Sequence, residues 1–178
     1  MAASTSNQYP FTLRFYPDPC LAKRCEEVVF FGPHTRKLAK DMLAAMKVHG
    51  GVGLAANQMG QLERLFVVSG SILENGEDLA LFNPRIVERA AASNVEEGCL
   101  SLPGVVYVIP ERSQEVRVEF QNVDGLACSL VFKGLSAVCA QHELDHLDGL
   151  TMLDRLSALK SGRIKARMAK EAKAEAKS

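Results

Sequence analysis

Two histidines four residues apart, His142 and His146, flank a glutamate in the run Gln141-His142-Glu143-Leu144-Asp145-His146. On a helix, side chains at this spacing leave one face. The pair is therefore placed to grip one cation, and Glu143 to take a proton from water on it. That is the chemistry of hydrolysis. Packing alone explains the trio poorly, because burying two imidazoles and a carboxylate without partners is costly, whereas a bound cation offsets the penalty.

A catalytic cation site needs a third protein ligand and one open position. A downstream histidine in the pattern H-x-x-G-x-x-H would fall at 152; Gly149 is in place, but Met152 stands where the histidine should. His34 and His49 lie far upstream, and Glu171 and Glu175 sit in a basic tail. Cys99 remains the best ligand. It lies in a predicted loop rich in small and turn residues, Glu96 to Gly104, and a thiol beside a cation is deprotonated. The plainer alternative for a lone cysteine is a small buried hydrophobe.

These residues need elements to hold them. After Gly134, the residues Leu135, Val138, Cys139, His142 and His146 form one stripe of a helix, so the histidines face inward with the apolar side chains. Thr35, as N-cap, opens an earlier amphipathic helix through Leu38, Met42, Leu43 and Met46, ended by Gly50-Gly51. Strands are predicted at Leu65 to Val68, at Leu79 to Phe82 with a stop at Asn83-Pro84 and Ile86-Val87 open as a continuation, and at Val116 to Phe120. Asp124-Gly125 turns the last into a hairpin partner from Leu126 to Phe132. The first thirty or so residues, broken by Pro10, Pro17 and Pro19, read as an extended arm silent on function. Leu150 to Leu156 is a short apolar bridge, and Ser157 to Ser178 a largely exposed helix. The stretch Gly51-Val52-Gly53-Leu54-Ala55-Ala56-Asn57-Gln58 loosely matches G-x-G-x-x-A. A dinucleotide fingerprint must follow a strand, however, and this follows a helix; it reads instead as a loop whose backbone approaches a ligand closely.

Composition bounds the rest. The 178 residues, 47% hydrophobic and 24% charged, suit one domain. No apolar run reaches the ~20 residues that span a bilayer, and the opening residues lack a basic then apolar leader. The expectation is a soluble, non-secreted protein without membrane or DNA partners. Five cysteines, odd in number and without C-x-x-C spacing, argue against a disulfide framework. They favour the cytoplasm, or the equivalent reducing compartment of an organelle or infected host cell. Charge is segregated: from Arg155 onward eight Lys/Arg face Glu171 and Glu175, a net +6 on a chain of net zero. Such a tail suits a polyanion, or is simply a solvated helix.

Three stretches, Gly51 to Gln58, Glu97-Gly98-Cys99-Leu100-Ser101 and Gln141 to His146, resemble the three signature motifs of peptide deformylase, in that family's order. The resemblance covers roughly Phe11 to Leu159. It implies an α+β fold with antiparallel sheets around a central helix bearing the histidines, a catalytic domain over 1–159, and a basic C-terminal helical tail over 160–178. It implies metal-dependent removal of the formyl group from the formyl-methionine terminus of nascent polypeptides, with Fe(II) as the physiological ion and Zn, Ni or Co as substitutes. Carried over, Cys99, His142 and His146 hold the metal and Glu143 is the acid/base. Gln58 and the Leu100 N–H form the oxyanion hole, and Gly51, Val52 and Gly53 pair with the substrate. Val52, Val95, Leu135, Val138 and Cys139 resemble the methionine pocket. Glu97 is expected to pair with Arg112, and the tail to dock on ribosomal RNA. Val106 or Tyr107 stands where some members place a backbone-binding arginine.

Two other readings remain open at this point. A zinc peptidase of another lineage would cut internal amides and need a third ligand other than Cys99. A non-enzymatic, metal-stabilised module would leave Glu143 a spectator.

Overall fold

The computed structural model describes residues 12–175, with side chains through residue 170. The side chains of Glu171, Lys173, Glu175 and Lys177, which complete the basic tail, lie outside the described residues.

A five-stranded antiparallel sheet carries the molecule. Its strands are β1 (Gly53–Ala55), β2 (Leu65–Val68), β3 (Leu79–Ala92), β6 (Ser113–Gln121) and β7 (Ala127–Lys133), in that spatial order. Every side chain of β2 is buried, because helices cover both faces. Leu65 and Val67 join the core beneath α1 (Pro33–Val48), with Leu38, Met42 and Met46. Phe66 and Val68 join the core beneath α2 (Leu135–Leu147), with Ala137, Ala140 and Leu144. Alternation along a strand serves both layers at once. Helix α2 is buried at every residue after Leu135, as expected of a helix packed on all sides. The fold is α+β, with the H-E-x-x-H helix at its centre.

A smaller sheet supplies the third layer. Strand β4 (Glu96–Cys99) pairs with β5 (Leu102–Val108) in a tight hairpin. Leu102, Val105 and Ile109 pack against Met152 and Leu153 of α3 (Met152–Arg155) and Ile164 of α4 (Ala158–Glu175). The C-terminal helix is exposed along most of its length, as its composition foretold, yet Ile164 anchors it to the back of the hairpin.

Three expectations need correction. Strand β3 does not stop at Asn83-Pro84 but runs on to Ala92. Asn83 takes positive φ, and its side-chain amide replaces the missing ladder bonds by accepting from Val28 N–H and donating to Val28 O, each at 2.8 Å. Pro84 then falls in the resulting bulge between Phe82 and Arg85, where no N–H is needed. Second, Cys99 ends a strand rather than sitting in an open loop. Third, Thr35 is not the N-cap of α1; Gly32 is, with the Thr35 hydroxyl accepting from its N–H at 3.0 Å.

Candidate metal centre and active site

His142 and His146 project from one face of α2, their Nε2 atoms 3.2 Å apart. The hairpin turn brings Cys99 Sγ to 3.2 Å from His146 Nε2. All three donor atoms lie within 4.8 Å of one another. Ligand atoms around a tetrahedral cation are separated by about 3.3–3.6 Å, so the donor set fits one such ion. Two facing imidazole nitrogens cannot both offer lone pairs to each other; a shared cation satisfies both.

The orientation of His142 is held from behind. Its Nδ1 is 3.2 Å from Glu97 Oε1, and Glu97 receives two bonds from Arg112, at 2.7 and 2.8 Å. Arg112 also donates to Asp145 at 2.7 Å, and Asp145 in turn accepts two bonds from Arg155. This chain of alternating charges ties the hairpin, α2 and α3 together. A carboxylate on Nδ1 fixes the tautomer that directs Nε2 at the metal. The Glu97–Arg112 pair expected from the sequence is present; Asp145 and Arg155 were not foreseen, since a long-range ion pair leaves no local pattern. Burial opposes charge on Glu97, but Arg112 and His142 outweigh it and hold its pKa at about 2.

Glu143 is fully enclosed, and burial pushes its pKa up to about 7, against the opposing pull of His142. One of its oxygens, Oε2, has no protein partner. A carboxylate titrating near neutrality can both take and return a proton. It is given room by Gly53, where a Cβ would come within 2.5 Å of both Glu143 Oε1 and Cys139 Sγ. The glycine that opens β1, in a stretch read from the sequence as a loop, is thus required by close approach.

Gln58 sits in a 3₁₀ turn, Ala56–Met59. Its Oε1 accepts from Ala55 N–H at 2.8 Å, which orients the amide so that Nε2 faces Ser101 Oγ at 3.1 Å and Cys99 Sγ at 3.7 Å. Leu100 occupies the hairpin turn and packs over Gly51, where a Cβ would lie 2.7 Å from Leu100 Cδ1.

These groups open on a cavity of about 570 Å³, walled by Gly51, Val52, Gly53, Gln58, Cys99, Leu100, Leu135, Val138, Cys139, His142 and Glu143. Val95 does not line it. It lies in the bend between β3 and β4, its N–H bonded to Ser93 Oγ, and the wall is taken up instead by Val105 and Val106. Leu13 and Phe15, from the arm read as silent, also line the cavity. Backbone bonds from Arg14 N–H to Gln58 O (2.7 Å) and Tyr16 N–H to Ser101 O (3.0 Å) lash that arm to the site. Only tertiary structure reveals these bonds.

An enclosed carboxylate beside three grouped donors that suit a cation is the arrangement of a metallohydrolase, which splits acyl and amide bonds with water. Comparison with known proteins narrows it. The chain belongs to the polypeptide deformylase family, whose match spans residues 11–162. It is 42% identical over 158 residues to the peptide deformylase of Neisseria gonorrhoeae, covering 89% of this chain and 93% of that one. The structure is similar to that of peptide deformylase from Ehrlichia chaffeensis, with a TM-score of 0.85 at 31% identity, covering 93% and 98% of the two chains. The enzyme from Legionella pneumophila matches with the same TM-score at 33% identity, covering 94% of this chain and 98% of that one.

Proposed function

We propose that this site removes the formyl group from the formyl-methionine end of nascent polypeptides, with Glu143 as the proton carrier. The observation that carries the reading is Glu143 itself: enclosed, raised to about pH 7, with one oxygen unpartnered within the wall of a peptide-sized cavity. A divalent cation held by Cys99, His142 and His146 would supply Lewis acidity and a water acidified enough to attack at neutral pH. On the resemblance to peptide deformylases we assign Fe(II) as the physiological ion; one thiolate with two imidazoles suits Zn, Ni or Co equally as substitutes.

The side chains divide the remaining work. Glu143 accepts the proton of the attacking water and delivers it to the departing methionine nitrogen, so that formate leaves. The Gln58 amide N–H and the Leu100 backbone N–H donate to the formyl oxygen as it gains charge. Leu135, Val138 and Cys139 receive the methionine side chain, and the Gly51 to Gly53 backbone offers an edge with which the peptide pairs as a short strand. Protein synthesis places the enzyme in the cytoplasm or an equivalent compartment; among the described residues no helix is long and apolar enough to cross a membrane.

Chelation is expected to abolish formate release from formyl-Met-Ala-Ser, and anaerobic Fe(II) to restore it more fully than Zn. Equal activity before and after stripping would contradict the metal assignment. The basic helix is assigned to ribosomal RNA on its charge. Truncation after Leu159 would also remove Ile164 from the core, so the cleaner probe is the exposed pair Arg163→Glu and Lys170→Glu. Loss of ribosome co-sedimentation at low salt is expected, and unchanged sedimentation would refute the docking role.

A further inference from the structure

The two histidines are braced unequally. His142 Nδ1 meets the Glu97 carboxylate at 3.2 Å, whereas His146 Nδ1 is buried without a hydrogen-bond partner. The Nε2 of His146 is turned toward Cys99 Sγ and His142 Nε2, each 3.2 Å away. An imidazole that offers its Nε2 lone pair to a cation carries its proton on Nδ1. A buried N–H of this kind requires an acceptor.

Asn57 offers one. It is fully buried, in the 3₁₀ turn beside Gln58. Its Nδ2 donates to the backbone carbonyl of His146, and lies 3.5 and 3.4 Å from the carbonyls of Leu21 and Lys23. Three carbonyl oxygens around one end of the amide fix its orientation, because the flipped amide would set Oδ1 against all three. Oδ1 therefore faces away from them, and it too is buried without a partner. Among the described residues three buried side-chain atoms lack a hydrogen-bond partner: Glu143 Oε2, Asn57 Oδ1 and His146 Nδ1. Glu143 lines the cavity. The other two are a complementary acceptor and donor, on residues already joined through Nδ2.

We propose that Asn57 is the positioning residue for His146, its Oδ1 receiving the Nδ1 proton in the metal-loaded protein as Glu97 does for His142. The inference rests on the metal-centre reading and adds a residue to it. Such outer partners fix the ring and tune the basicity of the ligand nitrogen. A carboxylate braces one histidine and a neutral amide the other, so His146 is the weaker donor of the two. Through Nδ2 the same side chain ties the end of α2 to the arm at Leu21 and Lys23.

The probe is Zn, which suits the donor set and leaves NMR signals sharp. In the Zn-loaded wild type with isotope-labelled histidine, the Nδ1–H signals of both ligands should be protected from exchange with solvent. That of His146 should show a nuclear Overhauser contact to the Asn57 side chain. In Asn57→Ala the His146 signal should lose its protection while the His142 signal keeps it, and Zn affinity, read by competition with a chelator, should fall about 10–100-fold. Asn57→Asp keeps an acceptor oxygen and loses the amide donor, so it should retain the protected signal and the affinity while its Tm falls. Equal affinity in wild type and Asn57→Ala would overturn the proposal. So would an Asp variant that binds Zn as weakly as the Ala variant, since Asn57 would then act through its Nδ2 contacts alone. Should Asn57→Ala not fold, the absence of the wild-type Overhauser contact would overturn it unaided. A wild type that binds no Zn would overturn the metal centre itself, and this proposal with it. Formate release plays no part in these readings, so the deformylase reading stands or falls separately.

Discussion

Helix α2 and the β4–β5 hairpin each contribute to the metal centre, but by different physics. On α2 the helical repeat alone puts His142 and His146 side by side, and the surrounding core holds the helix rigid. The hairpin has no such internal guarantee. It delivers Cys99 through tertiary ties: the Glu97–Arg112–Asp145 chain, the Gln58–Ser101 bond and the arm that bonds to Ser101. One half of the site is therefore specified locally, and the other is assembled by folding. Substitutions should separate accordingly: the two histidine ligands apart, changes around Glu143 should disturb chemistry while keeping the ion, and changes in the ties of the hairpin should loosen the ion.

The sharpest contrast is Glu143→Gln, which keeps shape but removes the proton carrier. The value of kcat/KM should fall by about three orders of magnitude, with metal content and Tm unchanged. Loss of the ion would mean that Glu143 acts structurally. Gln58→Ala, which removes a donor to the developing oxyanion, should lower kcat by about 10²–10³-fold. Gly53→Ala approaches the same chemistry from the strand side: the added Cβ collides with Glu143 and Cys139 and should depress kcat while the ion stays bound.

On the hairpin side, Arg112→Met leaves Glu97 and Asp145 without their shared partner. Metal affinity should weaken about 10–100-fold, measured by competition with a chelator, alongside a loss of about 3–5 kcal/mol in stability. An affinity unchanged from wild type would break the distinction between the two halves. A smaller effect is expected from acid. Glu97 has its pKa lowered to about 2 in the folded protein, below the ordinary carboxylate value near 4.3. Its contribution is therefore complete above pH ~4.3 and is lost as pH falls toward 2. Urea unfolding of the metal-free protein from pH 6 to pH 3 should show a steeper decline for wild type than for Glu97→Gln.

The same division explains what could be read from the chain. Periodicity exposed α1, α2 and the β6–β7 hairpin, because Met42, Val138 or Asp124-Gly125 act within a few residues of themselves. The pairing of Cys99 with the histidine helix also emerged, since the downstream alternatives were excluded by Met152. What stayed hidden depends on long-range partners. That β3 runs unbroken through Asn83-Pro84 to Ala92 needs Val28 to satisfy Asn83, and the arm joins the site only because Phe15 is pinned against the cavity. Asp145 was given no role from the sequence, and only the fold brings it between two arginines.

The most direct test of the central claim is an anaerobic assay of the Fe(II)-loaded protein on formyl-Met-Ala-Ser, beside the acetylated and unformylated peptides. Formate should appear from the first, and neither of the others should be cleaved. Absence of formate, or release of internal peptide fragments from the unformylated substrate, would contradict the account.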